Sequence, residues 1–457
     1  MIPVFVRRHR RKITALVGIA ALSYYAYSAL RAKIREWQTQ FSTAAAGREN
    51  LRRRFEQNQR DAAFTVAALL SSLAEPIARE LPVEEITHAL QAKRMPATSS
   101  QSPTLSSATS SVVSDNTSVV SATSSSATVI DVESSTTEVR AAARQSKKEL
   151  WNDLKVASVA RAISLIYAIS LLVFFTRLQL NLLGRKNYID SVMALARDTA
   201  GGRNNDDDDE AGYETDIIDH EVNRRFLTFS WWLLNRGCLS IVDSVKRATE
   251  SVFSSLTPRT ELTVEELQNC LNAVRTTVDA ELQNFLPILL PTTPDDEAFV
   301  LSNNPSSQHE FESTPSRELA IAPRLEALLD EARDLIESPN AHSVTTTLLN
   351  ESFAMLVQAL QLHYYFNLYD SVPTPSPLQS STTAAEQNSS ERFIELDDRA
   401  GTTVKLASLL AGIARQSREM TLGDDSANQY LLGMNNLPEV SVFSAVVYSN
   451  YDMLDNL

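Results

Sequence analysis

Cysteine and glycine are both scarce in this sequence. Its 457 residues include two cysteines, Cys238 and Cys270, and 11 glycines. Two thiols form one bridge at most, and no CxxC or zinc-type spacing is present, so the body is expected in a reducing compartment such as the cytosol. Parallel α/β enzymes need glycine in their turns and phosphate loops. The low glycine count therefore favours an all-helical fold.

Catalytic motifs are missing as well. The chain contains no GxGxxG, GxxxxGK(S/T), HExxH or GxSxG sequence and no set of kinase motifs. None of the six histidines pairs with another His or Cys at helical spacing, and the acidic neighbours of His220 lie in a polar segment. The run Asp206 to Glu210 lacks the spacers and the glycine of a calcium loop. We predict that the protein is not an enzyme and binds no metal or cofactor, with a membrane-anchored enzyme whose catalytic residues are distant in sequence as an alternative.

The net charge is −14. Phosphate binding needs clustered cations, so nucleic acid is not expected as a partner. The charge is also uneven, because the stretch up to Arg54 is strongly basic and the acidic excess lies after it. This asymmetry suits a basic end close to a membrane and a soluble acidic body.

The first long apolar run lies near the N-terminus. Ile13 to Leu30 gives 18 uncharged residues, near the lower limit for crossing a hydrocarbon core of about 30 Å. A cleaved signal peptide is the alternative, but it would have a shorter apolar core and a small-residue cleavage site. Tyrosines near one end and basic residues on both sides favour an uncleaved anchor. Because both flanks are basic, the positive-inside rule does not set its orientation; the preceding flank contains Arg7, Arg8, Arg10, Arg11 and Lys12.

A second apolar run extends from 162 to 176, between Arg161 and Arg177. Its 15 uncharged residues are few for a membrane span. The competing interpretation is a helix that is apolar on all sides because it lies at the centre of a bundle. Length and the flanking charges favour the buried helix.

The remaining chain has the pattern of long amphipathic helices, and we predict an all-α bundle. One early helix has an apolar face made of Phe64, Val66, Leu69, Leu70, Leu73 and Ile77. Pro82 begins a short helix. Thr263 and Glu266 fit a capping box, and another helix ends near Ser338. Polar or Ser/Thr-rich stretches are predicted to be disordered insertions, at about 96–140, 199–215, 291–317 and 373–390.

Trp151 follows the first insertion and has Lys147, Lys148, Leu150 and Leu154 close by in sequence. Tryptophan is enriched at interface hot spots. From composition alone, packing of Trp151 in the core is the commoner outcome. Both interpretations stay open at this point.

Three blocks of this sequence resemble the peroxin-three family of peroxisomal biogenesis factors, in its fungal form. The first is Arg8-His9-Arg10-Arg11-Lys12, with the apolar run and then Lys33-Ile34-Arg35-Glu36. The second is Arg53-Arg54-Phe55-Glu56-Gln57-Asn58-Gln59. The third is Leu150-Trp151-Asn152-Asp153-Leu154-Lys155, continuing to Arg177-Leu178-Gln179-Leu180-Asn181. A weaker echo runs from Glu331 to Pro339.

The resemblance implies a peroxisomal membrane protein with a single span. Residues 1–12 would be a short lumenal end, 13–30 the anchor, and 31–457 a cytosolic docking domain. That domain would bind peroxin nineteen, the soluble receptor and chaperone of new peroxisomal membrane proteins, through an amphipathic helix placed in an apolar groove. The alternative is a membrane tether or adaptor for organelle inheritance or autophagy factors. Membrane lipids are a further expected contact, including anionic head groups at the basic segment Arg48 to Arg54.

The resemblance also assigns residues. The family's groove tryptophan corresponds to Trp151, the lysine before it to Lys147, and a groove leucine to Leu90, with Leu150 and Leu154 beside them. It makes partner contact, in place of core packing, the expected role of Trp151. The basic flank of the anchor, Arg7 to Lys12, is expected to carry targeting information. The insertion between Leu90 and Lys147 must loop out if the two halves of the groove are to meet.

Overall fold

The computed structural model describes residues 49–93, 132–199, 206–302, 315–365, 403–423 and 428–449. Side chains are described from 147 to 195 and from 214 onward within the two helices that extend beyond those limits. The predicted anchor at 13–30, its basic flank and the predicted insertion at 373–390 lie outside the described residues.

The described part of the chain is almost entirely helical, which confirms the predicted all-α fold. Its first helices are α1 (Glu49–Glu80), α2 (Val83–Ala92), α3 (Val132–Thr199), α4 (Asp206–Thr228), α5 (Ser230–Trp232), a π-helical turn (Leu233–Gly237) and α6 (Cys238–Phe253). The later ones are α7 (Val264–Glu281), α8 (Leu286–Leu289), α9 (Pro294–Ser302), α10 (Pro315–Glu337), α11 (Pro339–Leu360), a second π-helical turn (Gln361–Tyr365), α12 (Leu406–Met420), α13 (Gln429–Asn435) and α14 (Pro438–Ser449). Two antiparallel two-residue strands pair between them, β1 (Glu261–Leu262) and β2 (Val404–Lys405).

Helix α3 is the centre of the bundle. It is 68 residues long, and α2, α6, α11, α12 and α14 all pack against it. Every residue from 162 to 176 is buried, and the 18-residue window of α3 that is apolar enough to cross a membrane is 100% buried inside the protein. The prediction of a buried central helix is therefore confirmed. Helix α1 also passes the length and composition test for a span, with 33% of its window buried.

The burial pattern of helix α1 differs from the predicted apolar face at one residue. Val66, Leu70, Leu73 and Ile77 are fully buried, whereas Phe64 is 76% exposed. The buried residues repeat every three or four positions and so form one stripe. Phe64 lies two residues before Val66, which turns it by about 200° to the opposite side of the helix. Its prediction as a core residue was wrong.

The predicted insertions contain more helix than expected. Helix α9 occupies part of 291–317 and is held by Val300, which is 1% exposed. Its start has a cap that the proline-rich pattern concealed, since the Asp296 amide donates to Thr293 Oγ1 over 3.2 Å. Helices α3 and α4 also begin inside the predicted insertions, at Val132 and Asp206. An acidic first turn favours the N-terminus of a helix, which accounts for a helical start in the aspartate run.

The predicted caps are present. Thr263 and Glu266 form both hydrogen bonds of a capping box at the start of α7. Helix α10 ends at Glu337, and the Ser338 side chain accepts from the Ala341 amide to begin α11, with Pro339 in its first turn. Local sequence thus fixes where these helices start and stop.

Candidate functional site

The residues assigned to the groove lie on α2 and on the adjoining part of α3, and α2 packs along α3. Leu90 and Leu154 are buried, 7% and 9% exposed. Leu150 and Trp151 are half-buried and pack against the same apolar core as Leu90, as does Ile86 of α2. We call this surface the α2–α3 strip; its residues are Ile86, Leu90, Leu150, Trp151 and Leu154. Trp151 is therefore packed against the core on one side, and part of its side chain remains exposed to solvent.

An ion pair holds α2 against α3. Glu84 accepts from both terminal nitrogens of Arg161, at 2.6 and 2.9 Å, and Arg161 is buried. Arg418 of α12 donates to the same carboxylate at 3.2 Å. The hydrogen bonds from Arg161 lower the pKa of Glu84 to about 2. Glu84 therefore remains charged at neutral pH and joins three helices.

The ion pair lies close to the strip. Leu90 follows Glu84 by six residues, about 9 Å along α2, and Leu154 precedes Arg161 by seven residues, about 10 Å along α3. Leu90 and Leu154 thus each lie within about 10 Å of the ion pair along their own helices. Glu84 is in the first turn of α2, where the helix dipole favours an acidic residue, but the sequence alone does not reveal its partner.

A second buried charge, Lys155, lies one turn after Trp151. Its amine donates to the backbone carbonyls of Phe253 at 2.6 Å and Leu256 at 2.9 Å. These carbonyls are at the C-terminal end of α6, where the helix dipole favours a cation. Burial lowers the pKa of Lys155. Lys155 thus attaches the end of α6 to the segment of α3 that carries the tryptophan.

The rim of the strip is charged. Lys147 and Lys148 are exposed on α3, and so are Glu149 and Asp153. Lys147 lies four residues before Trp151 and so on the same side of the helix. An apolar centre with a charged rim is the usual composition of a surface that binds another protein.

The strip lies far from the start of α1. Arg54, near the beginning of α1, donates to Ser191 Oγ at 3.0 Å and lies over the Tyr188 ring at 5.7 Å. Trp151 is 40 residues from Ser191 on the same helix, which corresponds to roughly 60 Å. The beginning of α1 and the α2–α3 strip therefore lie beside parts of the central helix that are roughly 60 Å apart.

Outside the α2–α3 strip, the described residues lack the groupings of side chains that metal binding or acid–base catalysis requires. They hold no group of three or more His, Cys, Asp or Glu side chains that could bind a metal ion. A cavity of about 340 Å³ lies between α11 and α14, and Glu439 is the single ionisable residue of its lining; the lining is Asn340, Ser343, Val344, Pro438, Glu439, Val442, Phe443 and Val446. General acid–base chemistry needs converging titratable groups, which this cavity does not provide.

The fold defines a class of protein: an all-α bundle built around one long central helix, with part of the Trp151 side chain of that helix exposed. Comparison with known proteins gives the family. The Peroxin-3 family profile matches residues 4–450. This chain belongs to the Peroxin-3 family, as the resemblance predicted, and so has a role in peroxisome biogenesis.

Individual relatives match along nearly the whole chain. "Peroxisomal biogenesis factor 3" of Yarrowia lipolytica is 38% identical over 474 residues, covering 98% of this chain and 99% of the relative. "Peroxisomal membrane protein PEX3" of Komagataella phaffii is 29% identical, with 98% of each chain covered. "Peroxisomal biogenesis factor 3" of Saccharomyces cerevisiae is 25% identical and covers 98% of this chain and 96% of the relative. The family is one of biogenesis factors and is not known as an enzyme family.

Proposed function

We propose that the α2–α3 strip docks peroxin nineteen at the peroxisomal membrane, so that newly made membrane proteins can be inserted there. The single observation that carries this proposal is the half-buried Trp151, which packs with Leu150 against the apolar core that also contains the buried Leu90 and Leu154. A partner helix would place apolar residues on the strip at intervals of three or four positions. Trp151 would serve as the central anchor, as tryptophan does at many interfaces.

The proposed arrangement in the membrane follows from the separation of the two ends. Helix α1 begins at Glu49, and 18 residues separate it from the end of the predicted anchor at Leu30. We place 1–12 in the lumen and the helical body in the cytosol. The strip, roughly 60 Å from the start of α1 along α3, would then be displayed away from the membrane, where a soluble receptor can reach it.

The docking proposal is tested by replacing Trp151 with Ala and measuring binding of a fluorescent peptide from the N-terminus of peroxin nineteen. Loss of a hot-spot side chain is expected to weaken binding by about 2 kcal/mol or more, roughly 30-fold. Trp231→Ala is the matched control, because Trp231 is also half-buried but packs on Phe299 at another surface, with 5.8 Å between the rings. Circular dichroism checks the fold of both variants. Equal affinity of Trp151→Ala and the wild-type protein would refute the groove.

The topology is tested separately by protease protection on intact organelles. A cytosolic body should be digested without detergent, whereas a lumenal body should survive until detergent is added. Survival of the body in sealed organelles would overturn the proposed orientation and leave the binding experiment unaffected.

A further inference from the structure

Helix α2 has few apolar contacts of its own. It is 10 residues long, and its buried residues are Val83 and Leu90. Full burial of one such side chain stabilises by about 1.5–3 kcal/mol, and fixing the backbone of a residue costs about 1–2 kcal/mol. Two buried side chains and the half-buried Ile86 are therefore a weak means of holding ten residues in place. The break at Leu81 and Pro82 also separates α2 from the end of α1.

The polar contacts between α2 and the rest of the bundle converge on Glu84. Its carboxylate receives Arg161 at two points and Arg418 at a third. Arg161 depends on this contact, since its side chain is 6% exposed and its buried Nε has no hydrogen-bond partner. A buried charge that loses its counter-ion is strongly unfavourable. Without the carboxylate, the protein must therefore let water reach Arg161, and a shift of α2, which packs on α3 and carries Glu84, would admit it.

We infer that Glu84 is a positioning residue for the α2–α3 strip: it keeps α2 seated on α3, so that Leu90 stands beside the Trp151 segment before a partner arrives. The inference rests on the proposed docking function and deepens it. Preorganised surfaces bind more tightly because less ordering remains to be done on association. Glu84 would then influence affinity although it lies outside the strip.

The test compares Glu84→Gln with Glu85→Gln. Both residues are in the first turn of α2, but Glu85 is exposed. We expect Glu84→Gln to weaken binding of the peroxin nineteen N-terminal peptide about tenfold, within the usual range for coupling through a structural element. Glu85→Gln should bind as the wild-type protein does. Hydrogen exchange at the α2 amides should rise in Glu84→Gln alone, a change that a general loss of stability would spread over all helices.

Glu84→Asp covers the case in which Glu84→Gln does not fold. Aspartate keeps a negative charge beside Arg161 but is one methylene shorter, so it cannot hold both terminal nitrogens with α2 in its present position. We expect weaker binding than wild type, faster exchange confined to α2, and an unchanged circular dichroism spectrum.

Peptide binding by the Glu84 variants and by Trp151→Ala distinguishes the positioning role of Glu84 from the docking proposal. If every folded Glu84 variant binds the peptide as Glu85→Gln does while Trp151→Ala loses affinity, the positioning role is overturned and the groove stands. If Trp151→Ala also binds normally, the groove itself is wrong. Weaker binding by the Glu84 variants, together with faster exchange in α2, supports the inference.

Discussion

Gln59 of α1 donates from its amide nitrogen to the Asn181 side-chain oxygen of α3, over 2.8 Å. Asn58 donates to the same oxygen at 2.9 Å. Asn181 completes the layer by donating to the carbonyl of Arg177 at 2.7 Å. Residues from two of the sequence blocks that resemble the peroxin-three family thus meet in one polar layer, which joins α1 to the central helix. Buried polar groups of this kind permit one register between two apolar helices and penalise the others.

Replacing Asn181 by Ala is expected to lower the free energy of unfolding by about 2–3 kcal/mol. The change leaves the amides of Asn58 and Gln59 without their acceptor in a part-buried position, and such unmet groups cost about 1–3 kcal/mol. Urea unfolding followed by circular dichroism measures the change. Asn187→Ala, on the exposed side of the same helix, should stay within about 0.5 kcal/mol. Equal stabilities of the two variants would show that the layer does not specify the packing.

The Glu84 ion pair gives the protein a defined acid sensitivity. The folded pKa of Glu84 is about 2 and its ordinary value is 4.5. Because the folded value is lowered, the contribution of Glu84 to stability is complete above pH 4.5 and is lost as the pH falls towards 2. The wild-type protein should exceed Glu84→Gln in stability at pH 7, and the difference should shrink over that window. Urea unfolding of both proteins at several pH values tests this; a difference that is constant down to pH 2 would contradict it.

A second buried pair, Arg185 with Glu331, secures α10 to α3. The Arg185 nitrogen lies 2.5 Å from both carboxylate oxygens, and the two side chains are 7% and 13% exposed. Glu331→Ala removes this carboxylate from a buried guanidinium, so we expect a loss of about 3–5 kcal/mol in the free energy of unfolding.

The control for this pair is Glu326→Ala, because Glu326 is exposed on the same helix. Its effect should remain within about 0.5 kcal/mol. Thermal unfolding of the three proteins gives the comparison. A loss of less than 1 kcal/mol in Glu331→Ala would mean that water replaces the carboxylate at little cost.

Helix type, caps and the buried central helix could be predicted, because they depend on neighbours within one or two turns. The spacing of Val66, Leu70 and Leu73 was enough to find one buried face. The same spacing turns Phe64 about 200° away from Val66, so its exposure could also have been predicted, and its inclusion in the apolar face was a misassignment of the helical period. Arg161 and Glu84 are separated by 77 positions, and no local rule pairs charges over that distance. The resemblance, and no local pattern, pointed to Leu90, Leu150, Trp151 and Leu154, and the half-buried state of Trp151 follows only from packing.

Reversal of one rim charge gives a test of how the partner approaches. Lys147 is exposed, so Lys147→Glu should leave the free energy of unfolding within about 0.5 kcal/mol of wild type. If Lys147 faces an acidic residue of the partner helix, the reversal should slow association, and the effect should fade as salt rises, because exposed charges act mainly on the on-rate. Stopped-flow binding of the peroxin nineteen peptide at low and high salt measures the association rate and its salt dependence.

Lys148→Glu is the matched control, since Lys148 is also an exposed lysine but is turned about 100° around α3. Identical rates for the two variants would mean that the rim acts through net charge alone, and that Lys147 has no particular partner.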